Sequence, residues 1–504
     1  MAAQFLLALD QGTTSSRAAV FTPEGRLTAS AAFEFAQRYP RPGWVEHEPE
    51  DLVDTTVRAM REAVRRAGVR PGQIAAAGVA NQRETTLVWD RETGKALAPA
   101  VVWQCRRTAP MVERLKAEGL APLIRAKTGL VPDAYFSATK LRWLLDEYGL
   151  QERAEKGELC FGTVDSFLAF RLLSGQPHVT DATNACRTML FNLHTQDWDD
   201  DLLRAFNLPR ALLPRVLDTA QAAGDLHPSL LGGPVPVCAL AGDQHAALFG
   251  QGCLNPGDVK NTYGTGCFML MNAGERPAGD VPGLLSTLAW RIGGKPVFAL
   301  EGSVFVAGAA IQWLRDELGV LKTAAESEEL ARQVEDTGGV HFVPAFTGLG
   351  APHWNMYARG TLLGLTRGSN RCHLARAALE SIAFQSDDLL RLMAGALGRN
   401  PGVLRADGGG SANSLMMQLQ ADISGVRVQR PQERETTALG AALLAGVGKG
   451  LIDGPREAAA LWRPERDFEP AIGEAERKAR RAGWAAAVET ALADAGRREG
   501  AACS

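Results

Sequence analysis

The chain has 504 residues, 46% hydrophobic and 22% charged, with a formal net charge of −3. That is more chain than one ordinary core organises, so two domains are expected, and the charge balance offers no basic field for nucleic acid or an anionic membrane. The run FLLAL is too short for a signal segment, ALGAALLAGVG is too short to span a bilayer, and the 8 cysteines form no C-x-x-C pair, so a cytoplasmic protein with reduced thiols and no membrane insertion is expected.

From the N-terminus, FLLALDQG and TSSRAAVFTPEG read as a hairpin and RLTASAAFEF as a third strand. The hairpin tip, Asp10-Gln11-Gly12-Thr13-Thr14-Ser15-Ser16, holds a carboxylate, a glycine and four hydroxyls, more polar chemistry than a turn needs. EPEDLVDTTVRAMREAVRRAG has helical periodicity, acidic residues in its first turn and Gly68 as its stop. QIAAAGVANQRETTLVWD returns to strand, with Asn81-Gln82-Arg83-Glu84 at its polar break. Strand–helix alternation runs to about Leu193 and predicts an α/β class.

Near residue 240 the pattern restarts. VPVCALAGDQHAALFGQG sets an Asp-Gln turn between apolar runs, and VKNTYGTGCFMLMN is strand–turn–strand with Gly264, Thr265 and Gly266 at its tip. Two halves that each present glycine and hydroxyl groups on a hairpin suggest a duplicated architecture with a cleft between them. ADGGGSANSLMMQLQADISG reads as a strand-to-helix connection capped by Asn413, and GEAERKARRAGWAAAVETALADAG as a surface amphipathic helix. Disorder is expected only in the last few residues.

The standard nucleotide motifs fail. GVGKG (446–450) lacks the first glycine of a P-loop and the hydroxyl residue after Lys449, and YGTGCF lacks the third glycine of G-x-G-x-x-G. The 8 histidines show no ligand spacing, which argues against a zinc enzyme. What remains are the hairpin tips, whose backbone N–H groups and hydroxyls can cradle a polyphosphate, though each alone reads better as a plain turn. Asp10 shifts the balance. A carboxylate beside phosphates repels them unless a cation intervenes, so Asp10 suits a Mg2+ anchor, directly or through water.

Together with LALDQGTTSSRAAVF, the segments YPRPGWVEHEP, NQRETT, VVWQCRRT, YFSATKLRWLL, VTDATNACRTMLFNLHTQDWD, AGDQHAALFGQ, NTYGTGCFMLMN, FVAGAAIQWLRD, VPAFTGLGAP, DGGGSAN and TALGAALLAG resemble the FGGY carbohydrate kinases, in particular those acting on glycerol. They run in family order from residue 5 to about 448. The resemblance implies an α/β fold of two ribonuclease-H-like (actin-like ATPase) domains around a central cleft, divided as 1–246 (substrate and phosphate hairpin) and 247–504 (nucleotide). It implies ATP-dependent phosphorylation of glycerol to sn-glycerol 3-phosphate, the first step of glycerol catabolism, with ATP and Mg2+, in a homodimer or homotetramer.

By the same resemblance Asp243 is the general base, and Arg83, Glu84, Tyr135, Asp243 and Gln244 hold the hydroxyls while Trp103 and Phe268 wall the carbon side. Thr13, Thr14, Ser15, Arg17 and Thr265 match phosphate-contacting positions, and Gly308, Gln312, Gly409 and Asn413 those around the nucleotide. The chain departs from the family pattern at Asn355 and Met356, where loop stiffness is in question, and at His245, which stands beside the site where glutamine is common. No Arg or Lys lies between His227 and Asp243, so insensitivity to fructose 1,6-bisphosphate is expected, with no switch through His227. Two other readings stay open: a family member acting on a pentulose or larger polyol, and an actin-like ATPase scaffold without a phosphoryl acceptor.

Overall fold

The structure, a computed structural model, describes residues 4–502, with side chains as far as Arg497. The disorder expected at the end of the chain lies outside the described residues. Phe5–Gln11 runs antiparallel to Ser15–Phe21, with Asp10 opposite Arg17 and Gln11 opposite Ser16, and Leu27–Glu34 adds the third strand. Alternate residues of the first strand feed different cores, Leu7 and Leu9 on one face and Leu6 and Ala8 on the other. A sheet covered on both faces explains why its strands read as continuous apolar runs.

On the other side of Phe5–Gln11 lie Ile74–Asn81 and then Pro236–Gly242, both parallel, and Gly224–Asp225 closes the edge antiparallel. The second sheet repeats this plan. Cys267–Gly274 pairs antiparallel with Val259–Tyr263, which is followed by Val403–Asp407 and Arg427–Pro431 in parallel and Pro464–Phe468 antiparallel. Lys295–Val304 takes the place of the third strand, and Leu285–Ile292 is an added edge. The strand order and directions match, so the duplication expected from the two hairpins is present.

Two expectations need correction. Pro236–Gly242 still belongs to the first sheet, and the repeat begins only at Val259. The residues Asp243 and Gln244 open a helix, Asp243–Gly250, instead of a turn between strands. A short apolar run such as HAALFG carries too few periods to separate helix from strand. The strand–helix alternation that runs to Leu193 is spread over more than one sheet. Between Asn81 and Gly224 the chain leaves the main sheet for locally paired strands, such as Leu87–Asp90 with Leu159–Gly162 and Val179–Asp181 with Arg215–Leu217. Phe136, Leu141, Phe161 and Phe191 give much of this excursion its own core.

The helices Asp243–Gly250 and Thr436–Lys449 cross between the two sheets, and Leu248, Ala441 and Leu444 share a core with Leu6, Ala80, Leu270 and Ala299. The crossing is backbone on backbone. A Cβ on Gly440 would lie 1.8 Å from the Ala246 carbonyl oxygen, and one on Gly250 2.2 Å from that of Thr436. The small residues of TALGAALLAG thus serve close approach.

The C-terminal helix Glu474–Ala502 buries Trp484, Ala487, Val488, Ala491 and Ala495, the amphipathic face the sequence indicated. Among the described residues seven cysteines are free and buried, and no helix is long and apolar enough to cross a membrane.

Candidate active site

The site grows from the ends of strands. Asp243 follows Pro236–Gly242 directly and stands in the first turn of its helix, where the dipole favours a carboxylate. Its Oδ1 accepts from the Gln244 backbone N–H at 2.7 Å and lies 3.2 Å from Arg83 Nε. Arg83 also donates from Nη1 and Nη2 to the two carboxylate oxygens of Glu301, at 2.7 and 3.0 Å. Arg187 completes the group, donating from Nε to Glu84 at 2.6 Å and from Nη2 to Glu301 at 3.1 Å.

Arg83, Glu84, Arg187 and Glu301 are all buried. Burial pushes the Glu301 carboxyl up, but the Arg187 and Arg83 guanidiniums outweigh it and hold the group at about 2. Burial raises Glu84, against the pull of Arg83 and Arg187. Arg83 and Glu84, neighbours in sequence, share no direct hydrogen bond. Glu84 adopts φ 62°, a left-handed geometry unusual for a residue with a Cβ, and its carboxylate reaches Arg187.

The aromatic residues also converge. Trp103 stands edge-on to Tyr135, with ring centroids 5.6 Å apart, and to Phe268 of the second sheet at 6.1 Å. Trp103 Nε1 donates to Thr13 Oγ1 at 2.9 Å, tying this wall to the first hairpin tip. Lys140 Nζ gathers the carbonyls of Ala134, Tyr135 and Phe136 at 3.2, 2.5 and 3.0 Å and so fixes the backbone that carries Tyr135. The fully buried Lys260 donates to Gln244 Oε1 at 2.5 Å, Thr262 Oγ1 at 2.8 Å and the Phe268 carbonyl at 3.2 Å.

The phosphate candidates lie on three turns. In the first, Gly12 N–H donates to the Ser15 carbonyl at 2.9 Å, and Gln82 Nε2 braces the Gly12 carbonyl at 3.0 Å. Thr14 and Ser15 complete this tip, and Arg17 behind it is ion-paired with Glu435 at the start of Thr436–Lys449. In the second, Thr265 accepts through its carbonyl from Ala307 and Ala309 N–H at 2.9 and 3.1 Å, which docks the tip on the helix Gly308–Asp316. A Cβ at Gly308 would meet the Gly264 oxygen at 2.6 Å, and Gln312 is exposed in the following turn. In the third, Gly409 faces open space, and Asn413 caps Ser414–Ser424 by accepting from Met416 N–H at 2.9 Å.

Burial, and next the Asp243 carboxylate, push Asp10 up to about 7, with Arg17 pulling the other way. Two mutually repelling carboxylates at this position suit a divalent cation. Among the described residues no group of three His, Cys, Asp or Glu side chains could hold a metal alone. That fits Mg2+, which binds through one or two carboxylates, substrate phosphates and water.

The N-terminal domain of the FGGY family of carbohydrate kinases matches residues 5–250, and its C-terminal domain matches residues 259–448. The chain belongs to the FGGY family of carbohydrate kinases. It is 54% identical to glycerol kinase of Symbiobacterium thermophilum over 97% of this chain and 98% of the relative. Identity to glycerol kinase of Thermus brockianus is 56%, again over 97% of this chain and 98% of the relative. The crystal structure of Plasmodium falciparum glycerol kinase with ADP superimposes with a TM-score of 0.91 at 33% identity, covering 97% of this chain and 98% of that one. Gluconate kinase from Lactobacillus acidophilus shares the fold, with a TM-score of 0.86 at 21% identity, covering 98% of this chain and 98% of that one. The architecture is the two-domain one of sugar kinases and actin-like ATPases.

In this FGGY kinase the departures have local explanations. Asn355 Oδ1 accepts from Tyr357 and Ala358 N–H, both at 2.9 Å, and its backbone pairs with Leu349, so the loop is braced by Asn355 itself. His245 is buried, its Nε2 3.4 Å from Thr287 Oγ1, and burial keeps the ring neutral by holding its pKa well below the ordinary value. Arg61, distant in sequence, donates to the carbonyls of Ser229 and Leu230 in the loop that follows His227.

Sequence reasoning missed Glu301, Arg187, Lys260 and Lys140. The available signal was a lone charge inside an apolar strand, as in FALEGSVF and VKNTY, since such residues are rarely buried unless paired.

Proposed function

We propose that this kinase transfers the γ-phosphoryl group of ATP to glycerol, giving sn-glycerol 3-phosphate, with Asp243 as general base. The observation that carries this reading is the meeting of Asp243 and Arg83 with the Trp103–Tyr135–Phe268 wall, a small polar site with one apolar side. Relatives named glycerol kinase, matched over nearly their whole length, support it. Asp243 takes the proton as the glycerol oxygen forms its bond to phosphorus and the bond to the leaving ADP oxygen breaks. Arg83, Glu84, Tyr135 and Gln244 hold the hydroxyls. Each Nη of Arg83 keeps a second N–H beyond its bond to Glu301.

Thr13, Thr14, Ser15, Arg17 and Thr265 serve the phosphates, and Gly308, Gln312, Gly409 and Asn413 the nucleotide. Mg2+ held through Asp10 would neutralise phosphate charge. We divide the chain into functional domains at 246/247, so that Asp243 and Gln244 fall to the first and Lys260 and Phe268 to the second.

Coupled assays with glycerol, a ketopentose and no acceptor test the reading. Glycerol 3-phosphate is expected only with glycerol. Equal ADP release without an acceptor would identify a scaffold ATPase, and preference for the ketose a different sugar kinase.

The wall makes a separate prediction. Phe268→Ala weakens glycerol use and narrows the kcat/KM ratio between glycerol and a four-carbon polyol by roughly ten-fold or more, because a methylene-scale contact is worth about 1–3 kcal/mol. An unchanged ratio would put the limiting wall elsewhere.

A further inference from the structure

We infer that Lys260 is a positioning residue that fixes which end of the Gln244 amide faces the acceptor alcohol. The inference rests on the reading of Gln244 as an alcohol-binding residue. An amide has an accepting and a donating end of nearly equal shape, and only its neighbours decide which way it sits. Lys260 Nζ meets Gln244 Oε1 at 2.5 Å and is itself anchored by Thr262 Oγ1 at 2.8 Å and the Phe268 carbonyl at 3.2 Å.

Those two anchors both accept, so the ammonium keeps a donor for Gln244. A flipped amide would set NH2 against NH3+ in a buried place. Lys260 is fully buried, which pulls its pKa down to about 8, and the nearby Asp407 and Asp243 carboxylates work against that, so the ammonium remains the main form at neutral pH. Gln244 therefore spends its oxygen on Lys260 and keeps its NH2 for the ligand. The site gains a hydrogen-bond donor of fixed direction beside the base. The same anchor ties the Asp243–Gly250 helix to the Val259–Tyr263 strand.

Gln244→Glu tests the orientation directly. The carboxylate still accepts from Lys260, so the fold is kept, but the donor toward the ligand is gone. Glycerol Kd, measured by calorimetry, is expected to rise roughly ten-fold or more, the same change expected of Gln244→Ala. Retained affinity in Gln244→Glu would overturn the proposal, because the oxygen end would then be the one in use.

The second arm is a cycle of Lys260→Met and Gln244→Ala. Lys260→Met is expected to raise glycerol KM by a similar factor, with ATP KM changed less than about two-fold, and to add little in the Gln244→Ala background. Independent, multiplying effects would make Lys260 a plain core residue and end the inference. Failure of the wild-type enzyme to bind glycerol would instead count against the proposed function.

Discussion

Asp243→Asn is expected to lower turnover by about 10²–10⁴ while glycerol binding stays measurable. The amide keeps the shape of the carboxylate. Its oxygen can still accept from the Gln244 N–H and from Arg83 Nε, the two contacts Asp243 Oδ1 makes now. What it loses is the capacity to take the hydroxyl proton. Single-turnover formation of glycerol 3-phosphate, set beside a calorimetric glycerol titration, separates the two. Turnover within a few-fold of wild type would remove Asp243 from the base role.

Glu301→Gln carries the largest expected cost in stability, about 3–5 kcal/mol, because it leaves Arg83 and Arg187 buried with one carboxylate too few. The Glu301 carboxyl is held at about 2 in the folded protein, below its ordinary 4.5. Its stabilisation is thus present above the ordinary value and fades as pH falls through about 2. The gap in urea midpoint between wild type and variant should be widest near neutrality and close in strong acid. A loss below about 1 kcal/mol at pH 7 would mean that water or rearrangement compensates the two guanidiniums.

The hairpin tip was legible because its polarity contradicted its place in a buried strand pair, and the conflict pointed to a ligand. The Asn413 cap and the Gly68 stop were legible because their chemistry is local. Arg83 and Glu84 were found as residues but not as partners. The true partner of Arg83 is Glu301, 218 residues away, and that of Glu84 is Arg187, 103 residues away. No periodicity carries information over such separations. The separate sheets of the excursion between Asn81 and Gly224 were not legible for a related reason: strands that pair within it carry the same alternation as strands of a central sheet.

Glu84 has a bearing on how this site can be improved or can drift. Its left-handed backbone marks it as an obvious place to engineer stability, since glycine would relieve roughly 1 kcal/mol of strain. Glycine would also strip the buried Arg187 of the carboxylate that its Nε reaches at 2.6 Å. Aspartate tolerates the left-handed geometry better but is one methylene too short for that contact. Backbone comfort and charge balance thus ask for different residues at one position, and by the reasoning given for Glu301 the charge balance outweighs the strain, so the left-handed Glu84 is a place where relieving the backbone lowers stability.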